Sequence, residues 1–275
     1  VSAGEQARLR GLYLDAVKRS LAGINCRSGS DLVPSGADAL LVETPWEPPP
    51  ARVRLVLAKE KRIDTDAKLT GDHKQVPADG QTMLGLRRLD QLQQCATTVI
   101  EEDVPGDFIE AGVWRGGAVI LLRAVLEAYG ERTRRVWAAD SFQGLPAPSL
   151  EEDAWSDLHR YEELAVSEDE VRANFALYDL LDDQVRLVVG WFGQTLPRLQ
   201  AERWSLVRLD GDLYESTWDG LEHLYPQLSP GGFLIVDDYG TYGACADAVH
   251  GYREDHGVRE PILEIDHTAV YWRKA

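Results

Sequence analysis

Asp107-Phe-Ile-Glu-Ala-Gly-Val-Trp-Arg-Gly-Gly-Ala118 is the stretch on which the reading of this chain turns. Phe108 and Ile109 form a short apolar run that stops at a carboxylate, Glu110. Gly112, Gly116 and Gly117 follow, and Ala118, Leu121, Leu122, Val125 and Leu126 then begin an apolar helical run. Strand, glycine turn and helix in that order form the opening unit of an α/β nucleotide fold. Glycine at such a turn lets a ligand approach the backbone where a Cβ would stand in the way. The spacing is E-x-G-x-x-x-G, not the dinucleotide form G-x-G-x-x-G. Any tight strand-to-helix turn needs glycine, so the motif alone leaves a purely structural turn open.

Working outward, apolar runs predict further strands at 135–140, 185–189, 205–210, 231–238, 261–265 and 269–272. Helical spacing falls between them: after the turn to about Gly130, from the capping box Ser167-Glu-Asp-Glu170, over 216–227 and over 246–253. Strands alternating with helices specify a mostly parallel sheet. The last two strands are joined only by Asp266-His267-Thr268, too short for a parallel crossover, so one strand must run antiparallel. The expectation is a seven-stranded, mostly parallel, Rossmann-like α/β sheet.

Upstream, Leu9, Leu12, Tyr13, Ala16, Val17 and Leu21 predict an amphipathic helix over 5–22. Residues 23–50, with Pro34, Pro45 and Pro48 to Pro50, read as loop. Val53, Leu55 and Leu57 are a short strand or a helix end. Residues 58–80 are polar and, with 142–166, are candidates for a lid; a solvated surface loop is the alternative. A helix over 81–102 buries Leu84, Leu89, Leu92, Cys95, Ala96, Val99 and Ile100, and Pro105 and Gly106 stop it. This divides the chain into an N-terminal extension, 1–80, and a main domain, 81–275.

The 275 residues are enough for a substantial core, and the 44% hydrophobic and 27% charged content is that of a soluble domain. A net charge of -17 argues against nucleic acid as a partner and suits a cation or a cationic cofactor. Cys26, Cys95 and Cys245 make neither a disulfide framework nor a CxxC pair, which fits a reducing, cytoplasmic setting. No apolar run approaches membrane-helix length, and no signal-peptide core is present.

Four carboxylates are expected on one rim. Asp210 ends the fourth strand and Asp212 follows it; Asp237 and Asp238 end the fifth. If both strands are central, their carboxyl ends face the ligand crevice of a doubly wound sheet. Carboxylates grouped there repel one another unless a cation or protons intervene, and oxygen-only ligands suit Mg²⁺. Separate helix caps are the alternative. Asp140, ending the second strand, is placed to accept ribose hydroxyls or else to cap a turn. Trp191, after Gly190, could cover a flat base or sit in the core.

Several longer strings agree with one family. They are Gln81-Thr-Met-Leu-Gly85, Glu110-Ala-Gly-Val-Trp-Arg-Gly-Gly117, Asp140-Ser-Phe-Gln-Gly-Leu-Pro146, Leu181-Asp-Asp-Gln-Val-Arg186, Leu209-Asp-Gly-Asp-Leu-Tyr214, Ser229-Pro-Gly-Gly-Phe233, Asp237-Asp-Tyr239 and Tyr271-Trp-Arg273. The chain resembles the macrocin-type (TylF) sugar O-methyltransferases of antibiotic biosynthesis from about residue 80 to its end. The E-x-G-x-x-x-G string is similar to their S-adenosylmethionine (SAM) motif. Within the family it resembles members that methylate the 4-hydroxyl of noviose in aminocoumarin pathways.

That resemblance implies a Rossmann-like SAM methyltransferase fold with a helical N-terminal cover. It implies Mg²⁺-dependent methyl transfer to a deoxysugar hydroxyl on a glycosylated natural product. It places Asp210, Asp237 and Asp238 on Mg²⁺ and leaves Asp212 as a base or a substrate-binding acid. Thr82, Met83, Glu110, Gly112, Gly116, Asp140, Ser141, Gly190 and Trp191 are the implied SAM-binding residues, and a homodimer is common in the group. His159 is the second candidate base, because imidazole transfers protons readily near neutral pH. In this chemistry the cation holds the acceptor hydroxyl and a neighbouring one. Two other classes remain open at this point: a nicotinamide oxidoreductase and a non-catalytic nucleoside-binding module.

Overall fold

The computed structural model describes residues 2–23, the backbone of strands 38–43 and 54–59, and residues 80–275. In chain order its elements are α1 (Ala3–Leu21), β1 (Asp38–Glu43), β2 (Arg54–Lys59), α2 (Leu86–Glu101), β3 (Asp107–Ala111), α3 (Gly117–Tyr129), β4 (Val136–Asp140), α4 (Glu168–Leu177), β5 (Val185–Val189), α5 (Phe192–Thr195), β6 (Trp204–Leu209), α6 (Tyr214–Leu224), β7 (Leu228–Val236), α7 (Gly243–Asp255), β8 (Leu263–Glu264) and β9 (Val270–Arg273). The main sheet has seven strands in the order β5-β4-β3-β6-β7-β9-β8. The first five are parallel, and β9 runs antiparallel to both its neighbours, as the short final connection requires.

Period-two alternation splits the core into two layers. On one face of the sheet, Phe108, Leu206, Phe233 and Ile235 pack with α1, α2 and α3. On the other, Ile109, Ala111, Val207, Leu209, Leu234 and Val236 pack with α6, α7, Trp204 and Trp272. Helix α3 is buried from Gly117 to Leu126 because it lies between the sheet and two other helices. Its apolar surface therefore goes all the way round instead of forming a stripe. Burying each Leu, Ile or Val of that run contributes about 1.5–3 kcal/mol. Gly130, at φ +67°, ends the helix with its N–H on the Leu126 and Glu127 carbonyls. Ser167 caps α4 by accepting from the Glu170 N–H, as its capping box predicts.

Some boundaries differ from expectation. Residues 38–43, read as loop, form a strand antiparallel to 54–59, with Asp38 opposite Lys59, so the second apolar segment is a strand and the N-terminal part is not purely helical. Helix α2 starts at Leu86, not 81, because 80–85 is used otherwise. The Gln81 and Thr82 N–H groups donate to the Leu21 carbonyl, and the Gln81 carbonyl accepts from Gly117, which pins this segment between the ends of α1 and α3. Strand β7 starts at Leu228 and carries Pro230 at a register shift against β6, where a missing N–H is tolerated. Asp237 and Asp238 lie just past its end. Most of the proposed lid segment 58–80 falls outside the described residues, as does Cys26. Among the described residues no helix is long and apolar enough to cross a membrane.

Candidate active site

A cavity of about 410 Å³ opens at the carboxyl ends of the central strands. The glycine turn forms one end. Gly112 (φ +89°) and Gly116 (φ +86°) are left-handed, so only glycine sits there without strain. The close approaches are the protein's own. A Cβ on Gly112 would stand 1.9 Å from the Asp210 carbonyl oxygen, and one on Gly117 would stand 2.5 Å from that of Gln81. Neighbouring backbone by itself thus requires glycine at 112 and 117, the structural-turn alternative, and Gly112 also lines the cavity, where a ligand could approach. Trp114, at φ +46°, lies in the same turn and donates its indole N–H to the Glu163 carbonyl at 2.9 Å.

Of the residues expected to bind a cofactor, Thr82, Met83, Glu110, Gly112, Asp140, Ser141 and Trp191 line the cavity; Gly116 and Gly190 do not. Gly190 (φ +137°) instead turns the chain after β5 beside Thr195. The Asp140 carboxylate accepts from the Val113 and Phe142 N–H groups, each at 2.8 Å, so it braces two turns of the cavity wall. Burial raises its pKa against the pull of those donors. The turn-capping reading of Asp140 is therefore the one seen, and the carboxylate keeps further acceptor positions that hydroxyl groups could use.

Residues 142–166, read as a long loop, supply the outer wall through Gly144, Leu145, Pro146, Leu158 and Leu164. Short 3-10 turns stiffen this wall. Asp153 in one of them is buried and accepts from the N–H groups of Tyr214 (2.7 Å) and Glu215 (3.1 Å), the first turn of α6. Trp155 stacks on Tyr242 at 4.9 Å. His159 does not line the cavity; its Nδ1 is buried with no hydrogen-bond partner. The second candidate base therefore stands off the cavity lining.

The acid rim bounds the cavity past the ends of β6 and β7 and meets the turn where Gly112 packs on the Asp210 carbonyl. Asp210 and Asp212 line it, and Asp237 and Asp238 lie behind them, each 1% exposed. Ligand oxygens of Asp210, Asp237 and Asp238 all lie within 4.8 Å of one another. Asp212 is left-handed (φ +60°), and its N–H donates to the Asp238 carboxylate at 3.3 Å. Asp tolerates this conformation better than most residues, and it holds Asp212 beside Asp210 at the cavity.

Two arginines complete the rim, and neither was singled out in the sequence. Arg208 on β6 lies directly across from Glu110 on β3 and pairs with it; it also pairs with Asp237 at 2.5 Å and Asp210 at 2.9 Å. Arg88 on α2 donates to Asp237 at 2.6 Å and to Asp266 at 2.6 and 3.0 Å. Alternation explains the meeting, because Glu110, Arg208, Asp210 and Asp237 share the sheet face that α2 covers. Burial pushes the Glu110 carboxyl up to about 8, with Arg208 opposing the rise, and its second oxygen is buried with no protein partner. Burial alone would raise Asp266, but Arg88 outweighs it and holds that carboxyl below its ordinary range. A signal for Arg208 was available: an arginine inside an apolar strand must find acids when it is buried.

Oxygen-only donors at this separation fit a hard divalent cation. The orphaned Glu110 oxygen and the cavity beside Gly112 fit a ligand with N–H or O–H donors and an apolar body.

The family model for macrocin O-methyltransferase (TylF) matches residues 12–274. A tetracenomycin-type protein of Streptomyces olivaceus, 8-demethyl-8-(2,3-dimethoxy-α-L-rhamnosyl)-tetracenomycin-C 4'-O-methyltransferase, is 54% identical over 214 residues, covering 76% of this chain and 81% of that one. Demethyldecarbamoylnovobiocin O-methyltransferase of Streptomyces niveus is 50% identical over 204 residues, covering 72% and 77%. The solved structure of the O-methyltransferase NovP superposes with a TM-score of 0.79 at 41% identity, covering 97% of this chain and 99% of that one.

Proposed function

The chain belongs to the TylF macrocin O-methyltransferase family, and from that premise we propose that it moves the methyl group of SAM to the 4-hydroxyl of a deoxysugar on a glycosylated natural product, with Mg²⁺ at the acid rim. A relative 54% identical is named for the 4' position of a rhamnosyl group, which supports the choice of hydroxyl; noviose is a second acceptor of the same kind. In that relative's named acceptor the adjacent position 3 already carries a methoxy group. Chelation therefore needs vicinal oxygens, one of them a hydroxyl, and not a free diol. A nicotinamide cofactor and a non-catalytic role both give way to the family membership.

The observation that carries this reading is one cavity bounded by the glycine turn and by the acid rim. SAM supplies an electrophilic methyl on a sulfonium, and a divalent cation lowers the pKa of a sugar hydroxyl. The protein orients both partners and moves the proton. Glu110, Asp140 and the turn at Gly112 receive the amino-acid and ribose parts of SAM; Thr82, Met83, Ser141 and Trp191 line the rest. Asp210, Asp237 and Asp238 hold the cation, and Asp212, at the cavity edge beside Asp210, takes the proton from the acceptor hydroxyl. The wall over 142–166 excludes water, so that the in-line attack is not diluted by hydrolysis. A cytoplasmic homodimer is part of the same reading, resting on the family resemblance; light scattering of the purified chain tests the dimer.

The decisive assay is label transfer from SAM to a panel of 6-deoxyhexosyl glycosides with and without EDTA. Product methylated at the 4-hydroxyl, lost on chelation, is expected. Transfer to other positions alone, or full transfer in EDTA, overturns the acceptor or the cation respectively. S-adenosylhomocysteine (SAH) should raise the melting temperature and NAD(P) should not.

A further inference from the structure

Arg88 lies in the first turn of α2, outside the cavity, and is 5% exposed. Its guanidinium spends its donors on three groups. Nη1 donates to Asp237; Nε and Nη2 donate side-on to the two oxygens of Asp266; Nη2 also reaches the Thr268 hydroxyl. Asp266 is held in turn by the N–H groups of Thr268 (3.0 Å) and Ala269 (2.9 Å). A chain of contacts thus runs from the turn before β9, through Arg88, to one of the three acids at the rim.

We propose that Arg88 is a positioning residue that sets the Asp237 carboxylate for cation binding by tying it to the Asp266–Thr268 turn. The inference rests on the reading that Asp210, Asp237 and Asp238 hold a divalent cation. One oxygen of Asp237 accepts from Arg88 and the other from Arg208, so the carboxylate plane cannot rotate. A carboxylate offers about four acceptor positions, so these two bonds orient it and leave acceptor capacity. The backbone is clamped to the same turn: the Gly240 N–H donates to the Thr268 carbonyl at 2.7 Å, and a Cβ on Gly240 would meet the His267 carbonyl oxygen at 2.2 Å. The segment carrying Asp237 and Asp238 is therefore fixed both at its backbone and at a side chain. A planar fork is needed to serve Asp237 and Asp266 together. A lysine would carry the same charge from a single nitrogen and could not hold both in this geometry.

Arg88→Lys is the test, read by Mn²⁺ binding in electron paramagnetic resonance and by SAH binding in calorimetry. The expected result is a loss of about tenfold or more in Mn²⁺ affinity, the usual size of an outer-shell effect, with SAH affinity retained. Mg²⁺ activation should shift in parallel while the KM for SAM stays. A folded Arg88→Lys protein with wild-type Mn²⁺ affinity overturns the proposal, as does an equal fall in Mn²⁺ and SAH affinity, which would mark a merely structural role. Thr268→Val is nearly isosteric and removes only one of the contacts on Arg88; it carries the test if the lysine variant fails to fold. A weaker Mn²⁺ site with intact SAH binding then supports the proposal, and an unchanged one sinks it. Wild-type protein that binds no Mn²⁺ overturns the cation reading itself, whereas a wild-type site indifferent to both substitutions removes only Arg88.

Discussion

The two ends of the cavity are built by different physics. At the glycine turn, sterics decide. Gly112, Gly116 and Gly117 sit where backbone from β6, a side chain of α4 and the Gln81 carbonyl leave no room for a Cβ. At the acid rim, charge decides. Arg88, Glu110, Arg208, Asp210, Asp237, Asp238 and Asp266 come from separate strands, a helix and a turn, and most are nearly dry. Removing one partner there leaves a buried charge uncompensated. The strand–turn–helix itself is written in a dozen consecutive residues, whereas the atoms that crowd its glycines and all the partners of the rim come from segments the fold brings together. Changes at the rim should therefore strike chemistry first, and changes at the turn end should strike cofactor affinity.

Asp210→Ala should show the largest effect. Losing a cation ligand removes several kcal/mol of transition-state stabilisation, about a 10³-fold fall in kcat. SAH binding measured by calorimetry should survive, and EDTA should reproduce the loss in wild-type protein. A variant that loses SAH and turnover together would erase the division between the two ends.

Asp212→Asn separates the base from the ligands within the rim. Turnover should fall by about 10²-fold or more, the usual worth of a positioned general base. Mn²⁺ affinity should be nearly intact, because Asp212 is outside the Asp210–Asp237–Asp238 cluster and its backbone N–H, which donates to Asp238, is kept in asparagine. A near-normal kcat with chemistry rate-limiting would pass the proton to another acceptor.

Asp140→Ala probes the turn end. It deletes an acceptor for two wall N–H groups and for the ribose, so SAM binding should weaken by about 1–3 kcal/mol. Mn²⁺ binding should not change. Unchanged SAM affinity by calorimetry would leave Asp140 as a brace alone.

Ser167→Ala, outside the cavity lining, should cost about 1 kcal/mol of stability in urea denaturation, through the lost N-cap of α4, with kcat unaltered. A change in kcat there would mean that the wall, which ends at this cap, is coupled to the chemistry.

Local chemistry determined a good deal of this molecule. The strand–turn–helix at 107–129, the parallel order implied by alternating elements, the reversed last strand and the capping box at Ser167 all follow from periodicity, glycine and connection length. The gathering of Asp210, Asp237 and Asp238 was legible too, because each ends a strand expected at the centre of the sheet. Tertiary structure decided what no single segment contains. The alignment of Glu110 with Arg208 depends on register between β3 and β6. Arg88 reads as one more charge on an amphipathic helix until α2 covers the face on which those acids point. That His159 stands off the cavity lining shows only once the turns of 142–166 are in place. Gly112 reads from the sequence as room for a ligand, and the fold adds the Asp210 carbonyl as a second reason for glycine there. The physical reason is common to these cases: propensity and patterning act over a few residues, whereas burial, register and electrostatic partners are set by segments distant in sequence that meet only in the packed fold.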